Sequence, residues 1–124
     1  MALIASILDS TKKRVNIDAS YTAFDEDILV EINSAFDTLT QIGIGPVEGF
    51  MIEDADATWD DYVTAGVPAL HLSSVKTYIA LKVRQVFDPP QSSYAVSAME
   101  RQIQELEWRL NTTREAAIYV SESS

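Results

Sequence analysis

The stretch that decides the fold is Thr22–Gly43, "TAFDEDILVEINSAFDTLTQIG". Its apolar residues recur at spacings of three and four, which is the repeat of one face of an α-helix. These residues are Phe24, Ile28, Ile32, Ala35, Phe36, Leu39 and Ile42. Thr22 and Asp25 resemble a capping box at the start, and Gly43 is typical of a helix end. The stretch therefore predicts one long amphipathic helix.

Further helices are predicted on both sides of this one. A short helix is expected to begin after Thr58 as N-cap and to turn Trp59, Tyr62 and Val63 inward. The helix at His71–Phe87 has a wide apolar arc that includes its last residues, so we expect it to be central. The predicted helices are Leu3–Arg14, Thr58–Val63, His71–Phe87 with Val86 on its apolar side, and Ser93–Thr113 with a stripe of Met99, Ile103, Leu106 and Leu110.

The remaining segments predict a loop and a tail. Residues 44–57, "IGPVEGFMIEDADA", are the least helical part, and "GFMIE" is β-like but has no partner strand nearby. Residues 114–124 follow the last helix and contain a short apolar patch. We therefore predict an all-α fold: a small bundle of four to five helices in residues 1–113, with one long loop and an extended C-terminal tail at residues 114–124.

The segment Val83–Ala95, "VRQVFDPPQSSYA", joins two of the predicted helices. Two prolines are too few for an extended polyproline ligand, and Asp88 has no catalytic partner in the sequence. A residue before proline is pushed out of the helical region, so Asp88 ends the central helix, and Pro89 and Pro90 cannot continue it. A serine of "QSS" is expected to cap the next helix. We interpret the segment as a corner that sets the direction of the last helix.

The formal net charge of −10 comes from the middle of the chain. Residues 21–70 contain eleven acidic side chains and no Lys or Arg, whereas the segments on either side are nearly balanced. Such a surface repels nucleic acid phosphate, which disfavours sequence-specific DNA binding. Two interpretations stay open: the charge serves solubility, or it forms a wall past which DNA slides without being held.

The composition limits the class of protein. The 124 residues suit one domain with one core, and there are no cysteines. Disulfides, thiolate metal sites and cysteine nucleophiles are thereby excluded, which fits a reducing cytoplasm or a particle assembled there. No apolar run approaches the roughly 20 residues of a membrane span, so we expect no membrane association.

No motif predicts catalysis or a bound cofactor. His71 is the only histidine, so a catalytic triad or a histidine-based zinc site lacks partners. The segment that begins with Asp54 and Asp56 fails as a calcium loop, because Trp59 stands where Gly is needed and Ala65 where Glu is needed. We therefore expect a protein that is not an enzyme and that needs neither a metal nor a cofactor.

Four segments, taken in order, resemble one protein family. They are "FDEDILVEINSAFDTLTQIGIGP", "GF" followed by "TWDDY", "SSVKTYIALKVRQVFDPPQSS" and "QIQELEWRL". Over about Ile4–Arg114 they resemble the head–tail connector proteins of long-tailed bacteriophages, also called adaptor or head-completion proteins. The run "FDPP" followed by "ELEWRL" is the more specific part. None of the segments is a catalytic motif, so the resemblance implies a fold and an assembly role.

The resemblance implies a virion protein that is made in the host cytoplasm and lies at the head–tail interface. Copies would form a ring, expected to be a dodecamer, under the portal protein. The ring would extend the DNA channel and bind stopper or tail-completion proteins, and DNA would pass without sequence-specific binding. The main alternative is an acidic regulatory protein that mimics DNA. A metal-dependent or hydrolytic enzyme is disfavoured by the failed motifs.

Four groups of residues are candidate contact sites in such a ring. The tail patch is expected to dock on the portal or a neighbouring subunit, and the loop acids to line the channel or meet the next ring. Arginines of the last helix, with an aromatic anchor that lies off the buried stripe, are expected to join subunits. The groups are, in this order, Ala116, Ala117, Ile118, Tyr119 and Val120; Glu48, Glu53, Asp54 and Asp56; Arg101, Arg109, Arg114 and Trp108; and the corner Asp88, Pro89 and Pro90.

Overall fold

The computed structural model describes residues 5–46, 48–65 and 71–123, with side chains in these ranges as far as Asn111. The helices in this part are α1 (Ile7–Arg14), α2 (Asp25–Gln41), α3 (Trp59–Ala65), α4 (Leu72–Phe87) and α5 (Ser93–Ser123). The predicted all-α bundle is confirmed. The β-like piece "GFMIE" forms no strand, and the described ranges contain only an isolated bridge between Ser6 and Thr58.

The predicted stripe of α2 faces the core except at Phe24, which precedes the first helical turn and is 44% exposed. Its buried members are Ile28, Ile32, Ala35, Phe36 and Leu39. The predicted capping box is wrong, because the N-cap is Phe24 and it makes no side-chain capping hydrogen bond. Asp25–Asp27 still stabilise this end, since carboxylates in a first turn complement the helix dipole. Gly43 follows the helix with φ of 90°, the left-handed conformation that glycine adopts without strain.

The central helix is α4, as predicted, and it packs against α1, α2 and α5. The rings of Phe24 and Phe87 lie 6.0 Å apart, so the start of α2 meets the end of α4 and the two helices are antiparallel. Tyr78 is buried, and its hydroxyl donates to Glu107 Oε2 on α5 at 2.6 Å. Val86, predicted on the apolar side, is exposed, because the buried side follows the i, i+4 row that ends at Phe87.

The first helix begins later than predicted. Ser6 is the N-cap of α1 and its Oγ accepts from the Asp9 amide at 3.2 Å, so the helix begins at Ile7. Ile7 and Leu8 are buried as expected, whereas the predicted positions Leu3 and Ile4 lie outside the described residues.

The short helix α3 begins as predicted. Thr58 Oγ1 accepts from the Asp61 amide at 3.2 Å, and Asp61 Oδ2 accepts from the Thr58 amide at 2.9 Å, a reciprocal capping arrangement. Trp59 is buried and its Nε1 donates to Ser10 Oγ of α1 at 2.8 Å. Lys76 of α4 lies over the Trp59 ring, 5.4 Å from its centroid. The helix is thus fixed to both α1 and α4.

The last helix is longer than predicted, because α5 continues past Thr113 to Ser123. Residues 114–123 therefore continue the helix and do not form a separate non-helical tail. The 31 residues of α5 span about 46 Å and the 16 residues of α4 about 24 Å. Because Glu107 lies beside Tyr78, Thr113 is level with the first turn of α4, and residues 114–123 extend beyond it.

Candidate interaction surfaces

The long loop is held against α2 by one side chain. Asn33 Nδ2 donates to the Ile52 carbonyl at 2.9 Å, and Asn33 Oδ1 accepts from the Ile52 amide at 2.8 Å. The amide thereby supplies both partners that a neighbouring β-strand would supply. Ile52 is buried, so without Asn33 its backbone groups would lack partners. The extended segment predicted here therefore forms its backbone hydrogen bonds with the Asn33 side chain, whereas a β-strand would form them with the backbone of a neighbouring strand.

Aromatic contacts and backbone pairing fix the rest of the loop. The centroid of the Phe50 ring lies 5.1 Å from that of Phe36 and 4.9 Å from that of Tyr62, and both of these partners are buried. At its end the Ala57 carbonyl accepts from the Ile7 amide at 3.0 Å. The loop thus has a defined position on the bundle, although its described residues form neither helix nor strand.

The loop acids point outward from this anchored backbone. Glu48, Glu53, Asp54 and Asp56 are all exposed, and Asp54 Oδ1 accepts from the Asp56 amide at 2.9 Å. That bond is a local turn, so it leaves the negative charge of both residues at the surface. The arrangement presents four carboxylates on a fixed segment, which suits repulsion of an anion or attraction of a basic surface.

The side of α5 that faces away from the core carries two exposed aromatic residues and one arginine. Tyr94, Arg101 and Trp108 are spaced by seven residues, so they lie along one line on the helix. Tyr94 is 79% and Trp108 68% exposed, whereas the predicted stripe from Met99 to Leu110 is buried on the opposite side. We call Tyr94, Arg101 and Trp108 the α5 outer face. The exposure expected for Trp108 is observed, and its role as an anchor stays a prediction.

The corresponding side of α2 is acidic. Glu26, Asp27 and Asp37 are exposed around Val30, which is 64% exposed, and Ser34 lies between them. The adjacent Glu26 and Asp27 are followed by Val30, Ser34 and Asp37 at spacings of three and four, so the five residues form one stripe opposite the buried one. We call them the α2 outer face. Sequence reasoning located its charge and did not predict the exposed valine at its centre.

The other predicted contact residues have different surroundings. Arg109 pairs with Glu105 one turn earlier on α5, as its i, i+4 spacing predicts. Both side chains are more than half exposed, so the pair contributes little to stability. The side chains of Arg114 and of the patch Ala116–Val120 lie outside the described residues.

The corner at the end of α4 has the predicted conformation. Asp88 is the C-cap, with φ of −150° and ψ of 58°, outside the helical region. Arg84 Nε donates to the Asp88 carbonyl at 3.2 Å and lies 3.7 Å from its Oδ2. Ser92 Oγ accepts from the Ala95 amide at 3.1 Å and so caps α5, as expected for a serine of "QSS". Pro89 is exposed between these two caps.

Among the described residues, no three His, Asp or Glu side chains lie close enough together to hold a metal ion. An open groove of about 250 Å³ runs between α4 and α5; its lining includes Ser74, Thr77 and Arg109. Among the helices described, none has the length and hydropathy of a membrane span.

Comparison with known proteins identifies the family. The family model described as phage connector protein matches residues 7–117. The chain belongs to the phage connector family. Neither the curated proteins nor the solved structures gave a significant match to this connector. The matched range includes α1 to α4 and most of α5, so membership applies to the whole bundle. The resemblance drawn from the sequence is confirmed, and the connector is a structural protein of the phage particle.

Three features of the connector were missed by sequence reasoning. The seven-residue spacing that aligns Tyr94 with Trp108 was a signal in the sequence. The exposure of Val30 also had a signal in the sequence, because Val30 lies opposite Ile28 and Ile32 on the helix. The contact between Asn33 and Ile52 had no local signal, because the two residues are far apart along the chain.

Proposed function

We propose that this connector forms a ring beneath the portal, extends the DNA channel and joins the head to stopper or tail-completion proteins. The observation that carries the proposal is the family match over residues 7–117. Two properties of the chain support it. The described part is a helical bundle with exposed contact surfaces, and the charge of residues 21–70 is wholly negative. A negative channel wall would let DNA pass without holding it.

The two ends of the bundle suit two different partners. At one end residues 114–123 of α5 extend beyond α4, and we propose that the apolar patch Ala116–Val120 docks there on the portal or a neighbouring subunit. At the other end Tyr21 and Phe24 are exposed, with ring centroids 5.6 Å apart. Exposed aromatic residues are typical of protein contacts, which supports a second partner at this end.

The loop acids are proposed to line the channel or to meet the next ring. Glu48, Glu53, Asp54 and Asp56 are exposed on a segment that Asn33 holds in place. Fixed carboxylates repel DNA phosphate at every angle around a ring, so DNA would find no preferred position. If an assembled ring has these carboxylates on its outer wall, this assignment is wrong.

Subunit contacts are proposed for the last helix. Arg101, Arg109 and Arg114 would pair with acidic residues in 21–70 of an adjacent copy, and Trp108 would supply the apolar anchor. The corner at Asp88–Pro90 turns the chain so that α5 runs back along α4, and it thereby determines where these residues are presented. Exposed ion pairs would set orientation more than affinity.

The experiment is depletion and add-back in the infected host. Phage lacking this chain should accumulate portal-containing heads without tails, and the purified protein should bind those heads and restore tail attachment. Normal tails without the chain would contradict the proposal. An acidic DNA mimic would leave the heads intact and bind a basic host or phage protein, and capture of such a protein without the portal would favour that alternative.

A further inference from the structure

We propose that the α5 outer face of one copy binds the α2 outer face of the next copy, so that the ring closes through one repeated head-to-tail contact. This rests on the proposed function, which places copies side by side, and it adds the surfaces through which they meet. In the described part of the monomer the only hydrogen bond made by a side chain of these faces is local, from Gln41 to Asp37 on α2, and each face matches the chemistry of the other.

The two faces are complementary in charge and in apolar content. The α2 outer face has three carboxylates, of Glu26, Asp27 and Asp37, around an exposed Val30. No Lys or Arg in residues 21–70 neutralises these carboxylates within their own segment. The α5 outer face has Arg101 between two exposed aromatic rings. An aromatic–arginine surface is the composition most enriched at binding hot spots, and a rim of carboxylates orients the arginine.

The architecture favours a head-to-tail contact. The helix α4 packs between α2 and α5, so the outer faces of α2 and α5 point away from α4 on different sides. Both helices are antiparallel to α4, as the Phe24–Phe87 and Tyr78–Glu107 contacts show, and they therefore run in the same direction. Two different faces of one molecule that bind each other form a closed ring when the rotation between copies closes.

The register of the contact follows from one pocket shared by α2 and α5. Thr40 and Gln41 at the end of α2 line this pocket together with Asn111 of α5, so these positions lie at one height in the bundle. In a planar ring, neighbouring copies share that height. Trp108 of α5 is then level with Asp37 of α2, and Gln104 is level with Ser34. Arg101 is level with Val30, which lies one turn after Asp27. All of these residues are exposed.

Cysteine crosslinking tests this register directly, because the chain contains no cysteine of its own. The double variant Ser34→Cys with Gln104→Cys is bound to the portal oligomer and treated with a short bismaleimide. We expect a ladder of covalent multimers, whereas each single-cysteine variant stays monomeric. The matched control joins Ser34→Cys to Gln102→Cys, since Gln102 is also exposed but lines the groove toward α4. The control should give less than a tenth of the ladder.

Each other outcome contradicts the inference. Portal-bound protein without a ladder, or a control ladder of equal strength, shows that these faces do not meet. Covalent dimers from one single-cysteine variant show a contact between two identical faces. Failure of the unmodified chain to bind the portal overturns both the inference and the proposed function. Binding without crosslinking overturns the inference alone.

Discussion

Lys12 and Asp25 form an ion pair with 2.7 Å between Nζ and Oδ1, and the Lys12 side chain is fully buried. The same ammonium donates to the carbonyls of Ala19 and Tyr21, at 3.1 and 2.7 Å. Its three protons thus have three acceptors, which is the condition for tolerating a buried charge. One side chain joins the end of α1, the connection that follows and the first turn of α2.

Replacing this lysine should be strongly destabilising. We expect Lys12→Met to lower the free energy of unfolding by about 3 kcal/mol, because the Asp25 carboxylate and two carbonyls lose their donor. Urea unfolding followed by circular dichroism measures the change. The control is Lys13→Met, which removes an exposed charge from the next position and should change stability by less than about 0.5 kcal/mol. Equal effects of the two substitutions would show that the buried pair contributes nothing specific.

The loop should open when its amide anchor is removed. Asn33→Ala deletes both hydrogen bonds to Ile52 and leaves buried backbone groups without partners, so we expect a loss of about 2 kcal/mol. The rate of hydrogen exchange at the Ile52 amide should rise in the same variant. The neighbouring exposed substitution Ser34→Ala serves as control and should leave that exchange unchanged. An unaltered Ile52 amide in Asn33→Ala would mean that the aromatic contacts of Phe50 alone fix the loop.

Removal of the hydroxyl from each of two buried tyrosines should change the free energy of unfolding in opposite directions. The Tyr62 hydroxyl is buried without a hydrogen-bond partner among the described residues, so Tyr62→Phe should stabilise the fold by up to about 1 kcal/mol. Tyr78→Phe removes the bond to Glu107 and should destabilise it by about 1 kcal/mol. Thermal unfolding of the two variants side by side checks the signs, and destabilisation by both would reveal an undetected partner of Tyr62.

The same tyrosines predict the response to alkaline pH. Burial, followed by the hydrogen bond and the charge of Glu107, raises the pKa of Tyr78 above its ordinary value of 10.0. Burial likewise raises the pKa of Tyr62. A group whose pKa is higher in the folded than in the unfolded state contributes its full stabilisation at pH values below the unfolded-state pKa. That stabilisation is lost as the pH rises from the unfolded-state pKa towards the folded-state pKa. The free energy of unfolding should fall above about pH 10, with a smaller slope in Tyr78→Phe.

Deletion of residues 114–124 should separate folding from attachment. Residues 114–123 extend beyond α4, so we expect the truncated chain to keep its unfolding midpoint within a few degrees. Its binding to portal-containing heads should weaken at least ten-fold, as measured by co-sedimentation. Unchanged binding would contradict the docking role of Ala116–Val120.

The corner should matter more for assembly than for folding. In Pro89→Ala with Pro90→Ala, the caps at Asp88 and Ser92 remain, so the expected loss of stability is about 1 kcal/mol or less. The direction of α5 becomes less defined, and attachment to portal-containing heads should fall several-fold. If stability and attachment fall together, the corner serves the fold alone.

Periodicity predicted the helices because burial of one face is a local property of the sequence. The stripes of α2 and α5 were therefore right, and so was the exposure of Trp108. The burial of Lys12 had no local signal, since its acceptors lie in the connection after α1 and in the first turn of α2. The end of α5 was predicted too early, at Thr113, whereas the helix continues to Ser123. Contact partners in other copies leave no local pattern.

The most direct test of the central claim is a cryo-electron microscopy map of the phage neck. The account predicts a ring of this chain immediately below the portal, with α5 of each copy against α2 of the next and the carboxylates of the long loop facing the channel. The chain's absence from that layer would contradict the account, as would its presence there as separate copies without mutual contact.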